Sequence, residues 1–178
     1  MVSHALRHEP WLYELELDEG GWVPIEALLD ALRPLDSSWT SLKESDLERM
    51  MARSSKKRHE IGDGYIRALY GHSTPKRLLM EHAEPPNVLF HGTAPATAEI
   101  ILREGLKPMG RQFVHLSVDS ASAKQVARRK SGVPFVLRVA AEAASSEGLR
   151  FYRGNDVVWL ADAIPPKFIS GPTTEEAY

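Results

Sequence analysis

The sequence predicts an α+β protein of two lobes, on three observations. Helical periodicity comes early: "PIEALLDALR" places apolar residues at 25, 28, 29 and 32, one face of an amphipathic helix. A hairpin signal follows, because "RHEIGDGYIRALYGHS" reads as two short strands around Gly62-Asp63-Gly64. Beyond the two prolines of "HAEPPN", residues 82–87, the texture changes to a succession of apolar strands. A linker there divides the chain into lobes 1–81 and 82–178. Helices closed by a hairpin within the first lobe suggest a winged-helix-like arrangement, a shape used for nucleic acids and for proteins alike.

Taken in order, residues 2–9 read as a short helix, and "LYELELDEGGWVP" as its exit, a strand and a Gly-Gly turn. Pro24 suits the first turn of the helix that follows. "SSWTSLKESDLERMMARS" predicts a helix capped near Ser41, with Leu42, Leu47, Met50 and Met51 buried. In the second lobe "VLFHGT" is a buried strand and "ATAEIILREGL" a helix stopped by Gly105. "FVHLS" is a strand and "SASAKQVARRKS" a helix with a basic tail. "PFVLRVAA", "LRFYRG", "DVVWLADA" and "KFIS" complete a β-rich lobe with two early helices, and "GPTTEEAY" is a loose tail.

With 178 residues, 43% hydrophobic and 26% charged, the chain can bury a core unaided. Cysteine is absent, which excludes disulfides, thiolate nucleophiles and cysteine zinc sites. No apolar run reaches the roughly 20 residues of a membrane span and no signal peptide opens the chain, so a cytoplasmic protein with no membrane partner is expected. Net charge is only −2, yet "RMMARSSKKR" at 49–58 holds five cations and no acid. "KQVARRK" at 124–130 holds four and no acid. Local charge of this kind, not the total, points to an anionic partner.

The chemistry-bearing residues are Arg7 and His8 in "ALRHEP", Arg58 in "KKRHE", Arg67, and the run Arg128 to Lys130. Guanidinium forks match phosphate oxygens, so two or three of them with a histidine would hold a phosphate monoester. The competing reading is a set of solvated surface cations. His91 sits where a buried strand meets a turn, Gly92 lets the backbone approach a ligand, and Thr93 suits a helix cap. Ser117 ends a second strand. No P-loop, no G-x-G-x-x-G and no G-x-S-x-G occurs. Neither a His-x₃-His pair nor a carboxylate cluster suggests a metal, and none is expected.

In order, "LRH", "DEGGWVPIEALL", "KKRHEI", "IRALYGHS", "LFHGT", "LREGLKPMGRQFVHLS" and "FYRGNDVVWLADAIPP" resemble the RNA 2′-phosphotransferase family of KptA type over nearly the whole chain. The resemblance implies a winged-helix-like RNA lobe and an ADP-ribosyltransferase-like lobe, with NAD⁺ consumed between them as co-substrate. It implies a monomer acting on RNA with an internal 2′-phosphate, such as a tRNA splice junction. That phosphate displaces nicotinamide. The ribose 2″-hydroxyl then attacks phosphorus, releasing 2′-OH RNA and ADP-ribose 1″,2″-cyclic phosphate. The family's catalytic set falls on Arg7, His8, Arg58 and a fourth cation in "VARRKSG". Counting from Val126 selects Arg129, and counting back from Pro134 selects Lys130. Arg129 is preferred because its fork binds phosphate through two prongs, with Lys130 beside it on the substrate phosphate.

The same resemblance puts His91, Gly92, Thr93, Ser117 and Asn155 on NAD⁺, with Gly71, His72 and Ser73 as further cofactor-binding residues that close the junction of the lobes. Arg67 faces RNA or pyrophosphate, or lies on the surface. His59 replaces an aromatic residue in the pocket wall. The alternative activity is an ADP-ribosyltransferase that stops after the first step, capping a terminal phosphate or another phosphorylated acceptor. A winged-helix binding module whose second lobe has lost its chemistry is a third reading, opposed by Arg7, His8 and Arg58.

Overall fold

The computed structural model describes residues 1–172. It is an α+β structure that divides into two units, Met1–Met80 and Glu81–Tyr178.

In the first unit helix α1 (Val2–Arg7) buries Ala5 and Leu6, and a 3-10 turn at Pro10–Tyr13 reverses the chain. The strand expected in "ELELDE" does not form. Only Leu15 is buried there, and no neighbouring strand pairs with the segment. Instead the Asp18 carboxylate accepts hydrogen bonds from the Gly20 and Trp22 backbone N–H groups, both at 2.8 Å, and shapes the entry to strand β1 (Trp22–Pro24). Helix α2 (Ile25–Leu32) buries Ile25, Leu28, Leu29 and Leu32, the periodic set read from the sequence. Each of the two fully buried leucines contributes about 1.5–3 kcal/mol of transfer free energy. Pro24 is the cap and not the first helical residue, since it still pairs with Tyr65 in the sheet.

Helix α3 (Glu44–Arg53) starts later than Ser41. The Asp46 carboxylate accepts from the Lys43 N–H at 2.9 Å, which sets the start there. Of its expected apolar face only Leu47 is fully buried. Strands β2 (His59–Gly62) and β3 (Tyr65–Ala68) form the hairpin, with positive φ at Asp63 (51°) and Gly64 (80°), as a two-residue turn requires. Strand β1 adds to the other edge of β3, giving the antiparallel order β1-β3-β2.

The second unit is built on a six-stranded antiparallel sheet, order β7-β8-β5-β4-β6-β9. Its strands are β4 (Val88–Thr93), β5 (Val114–Ser117), β6 (Phe135–Ala140), β7 (Phe151–Arg153), β8 (Val158–Ala161) and β9 (Ile169–Ser170). Helix α4 (Pro95–Glu104) ends at Gly105, φ 86°, and helix α5 (Ser120–Arg128) starts on the Asp119 cap. A third helix, α6 (Ala141–Ser146), corrects the expectation of two. Alanine is the best helix former, and burial of Ala141 and Ala144 outweighs the shortness of the segment. The core gathers Leu89, Leu116, Leu137, Val139 and Phe151 with Ala98 and Ile101 of α4.

The linker segment is tied to this unit: His82 bridges to Tyr152, and the Ala83 N–H donates to the Phe151 carbonyl at 2.9 Å. Residues 173–178 of the predicted loose tail lie outside the described residues. No helix among the described residues is long and apolar enough to cross a membrane.

Candidate active site

In the first unit, Arg7 closes α1 and His8 caps it. The Ser73 N–H donates to the Arg7 carbonyl at 2.9 Å, and Ser73 Oγ lies 2.9 Å from His8 Nδ1. One helical turn back, the His4 ring stands 6.0 Å from that of His8, held by Glu9 at 3.0 Å and the Tyr13 hydroxyl at 3.1 Å. Arg58 enters from the start of the hairpin, where its carbonyl accepts from the Leu69 N–H at 2.9 Å and extends the β2–β3 ladder.

Two buried histidines flank this cluster. His59, 8% exposed, bonds Ser3 Oγ through Nε2 at 3.0 Å. Burial first, then the charges of Arg7 and Arg58, lower its pKa to about 4. His72, 5% exposed, is lowered to about 4 by burial and by Arg7, His8 and Arg67. Both rings are therefore neutral near pH 7. The Ser3–His59 bond seats α1 beside the start of β2, so the fold brings Arg7 within electrostatic reach of the imidazole next to Arg58. Arg67 lies within reach of His72 but is engaged: it donates to the Glu60 carboxylate at 2.7 and 3.0 Å and stacks over Trp22 at 4.4 Å. Gly71 takes φ 87°, which makes the turn that buries His72.

The second unit carries its own cluster. His91 on β4 donates from Nδ1–H to the His115 carbonyl at 3.0 Å, which leaves the Nε2 lone pair as acceptor. Burial, and after it the Lys130 charge, lower its pKa to about 4, with the His115 bond opposing. Arg111 donates to His115 Nε2 at 3.4 Å, and partial burial with the Arg111 charge lowers the pKa of Lys130. His91 thus feels the Lys130 charge and bonds the His115 carbonyl, and Arg111 acts in turn on Lys130 and His115; Arg129, the cap of α5, and Lys130 are both exposed.

Gly92 has a use other than ligand approach. A Cβ placed there would lie 1.9 Å from the Ala123 carbonyl oxygen, so its smallness admits the α5 backbone. Thr93 does not cap α4. It is 1% exposed in β4, pairs with Phe135, and Ala94 takes the cap position. Ser117 ends β5 opposite Phe90, 8% exposed. The Asn155 side-chain oxygen accepts from the Val157 and Val158 N–H groups at 2.9 and 2.7 Å, and so shapes the turn into β8.

Sequence reasoning missed Arg111, His115 and His4. His4 had a signal, the i, i+4 spacing to His8 on a helix. Arg111 and His115 had one of their own, since both lie in the quoted "GRQFVHLS".

Neutral buried histidines make stability depend on pH. Each depressed group binds its proton in the unfolded chain near 6.5 but in the folded one only near 4. Their contribution is complete above about pH 6.5 and is lost as pH falls toward 4, at about 1.4 kcal/mol per pH unit for each group. Urea midpoints measured from pH 7.5 to 4.5 should fall steeply, and less steeply in His72→Gln. A flat profile would show that these rings protonate in the folded state.

Arginines beside neutral histidines in the first unit, and a lysine near a tautomer-fixed histidine in the second, are groups of the kind that bind anionic oxygen. The family model described as RNA 2′-phosphotransferase, Tpt1 / KptA family, matches residues 1–163. A probable RNA 2′-phosphotransferase of Acetivibrio thermocellus is 53% identical over 168 residues, covering 94% of this chain and 92% of that protein. One from Bacillus thuringiensis subsp. konkukian is 50% identical, covering 95% and 91%. Another from Pyrococcus horikoshii is 37% identical, covering 96% and 95%.

Proposed function

As the chain belongs to the RNA 2′-phosphotransferase family of Tpt1/KptA type, we propose that it removes an internal 2′-phosphate from RNA at the expense of NAD⁺. The observation that carries this reading is the seating of α1 beside the Arg58–His59 step, where Ser3 bonds His59 at 3.0 Å and Ser73 holds His8 at 2.9 Å. Such a cluster meets the dianionic phosphate of RNA. The first unit is read as the winged-helix-like RNA lobe and the second as the ADP-ribosyltransferase-like lobe.

The residues of the second unit fit NAD⁺. The charges of Lys130 and Arg111 suit a pyrophosphate, His91 Nε2 accepts from a hydroxyl, and Ser117 offers one of its own. NAD⁺ supplies an anomeric carbon with a good leaving group, nicotinamide.

Arg7 and Arg58 first hold the phosphate as it attacks that carbon, giving an ADP-ribosylated RNA. They then neutralise the charge that builds on phosphorus as the ribose 2″-hydroxyl displaces the RNA 2′-oxygen. Arg129, whose guanidinium makes no hydrogen bond or ion pair among the described residues, is assigned charge stabilisation in that second step. The products are 2′-OH RNA, nicotinamide and ADP-ribose 1″,2″-cyclic phosphate.

The test incubates the protein with a 2′-phosphorylated oligoribonucleotide, with and without NAD⁺, in excess chelator, and resolves products by mass. Loss of the phosphate only with NAD⁺ is expected, because NAD⁺ supplies the ribose that takes the phosphate away. Turnover without NAD⁺ would overturn the reading. A stable ADP-ribosylated RNA as sole product would favour the transferase that stops after one step.

A further inference from the structure

The turn Gly71–Ser73 brings the chain back to the end of α1, where Ser73 makes two bonds. Its N–H holds the Arg7 carbonyl and its hydroxyl meets His8 Nδ1, both at 2.9 Å. The buried His72 anchors the turn with its ring beside Gly21. We propose that Ser73 is a positioning residue for His8, holding Nδ1 so that Nε2 is the nitrogen that works on the RNA phosphate. The proposal rests on the 2′-phosphotransferase reading and deepens it.

A hydroxyl suits a ring that must exist in two protonation states. It donates to Nδ1 of a neutral imidazole and accepts from Nδ1–H of an imidazolium, by rotation alone. The backbone carbonyl that holds His91 only accepts, and so fixes one tautomer. In the second step the ribose 2″-oxygen bonds to phosphorus and the bond from phosphorus to the RNA 2′-oxygen breaks. The 2″-hydroxyl proton passes to His8 Nε2, then to the departing 2′-oxygen, and the ring ends as it began. Ser73 follows both transfers without moving the ring. On the ring's other side His4 keeps its place through Glu9 and Tyr13.

Ser73→Ala and Ser73→Thr separate this role from a merely structural one. In single turnover on a 2′-phosphorylated oligoribonucleotide with NAD⁺, Ser73→Ala should be about five- to tenfold slower, the loss of one orienting hydrogen bond. RNA affinity should hardly change, and Ser73→Thr, which keeps a hydroxyl, should restore most of the rate. The ring ¹⁵N resonances of His8, assigned against His8→Asn, should shift in Ser73→Ala and not in Ser73→Thr. A Ser73→Ala enzyme as fast as the parent, a Ser73→Thr enzyme as slow as Ser73→Ala, or unchanged ring resonances would each overturn the proposal. Should the parent fail to remove the phosphate, the functional reading falls. The resonances then still decide whether Ser73 governs the His8 ring.

Discussion

Gly92→Ala is expected to lower the stability of the second unit by about 3 kcal/mol or more, at or beyond the upper end of overpacking costs. The Cβ would meet three backbone atoms of α5: the Ala123 oxygen at 1.9 Å, its carbon at 2.8 Å and the Ala127 nitrogen at 3.0 Å. Backbone in a helix has no rotamer to yield, so α5 must shift away from β4 as a body. That shift also carries Lys130 away from His91, because the Lys130 N–H is bonded to the Ala127 carbonyl at 2.8 Å just past the helix end. Thermal melting should show a drop of roughly 2–4 °C per kcal/mol lost, with weakened NAD⁺ binding at temperatures where the variant stays folded. A variant that melts with the parent would mean that α5 is not seated on β4 at this glycine.

Arg129→Ala is expected to leave the first chemical step running and to slow the second by about 10²–10³, the usual cost of removing one charge-stabilising donor from a transition state. An ADP-ribosylated RNA then accumulates, visible on a gel as a species between substrate and product. Lys130→Ala should behave differently. Its charge acts on His91 and feels that of Arg111, so its loss should raise KM for NAD⁺ about tenfold or more, the scale of a charge-assisted hydrogen bond, and trap nothing. Arg129 and Lys130 lie past Arg128, the last helical residue, and both are exposed, so the division of labour rests on the Lys130 charge that His91 feels. If Lys130→Ala traps the intermediate and Arg129→Ala behaves as the parent, the two roles are exchanged.

Several elements were legible because their signal is local. The α2 stripe of Ile25, Leu28, Leu29 and Leu32 and the Asp63-Gly64 turn declare themselves within a few residues, and both stand in the structure. The misread elements depend on partners elsewhere. "ELELDE" alternates like a strand, yet no edge is offered to it. "AEAASS" becomes a helix through the burial of two alanines against the second unit's core. Thr93 looked like a cap, and only the β4–β6 register shows that it lies one residue too early, inside the strand.

By itself the sequence determined the α+β class, the early periodic helix and hairpin, and an ordered set of Arg, His, Gly and Ser motifs sufficient to mark the family. Those are properties of residue type and near-neighbour spacing, which a linear chain carries without folding. Tertiary structure alone decided that α1 packs its Ser3 on His59 and so brings Arg7 near the Arg58–His59 step, and that His59, His72 and His91 stay neutral. It alone decided that Ser73 meets His8, and that Gly92 is small for the sake of a helix. The physical reason is common to all of these. Desolvation, charge coupling and steric exclusion depend on distances through space, and those distances are set only when segments far apart in the chain pack together.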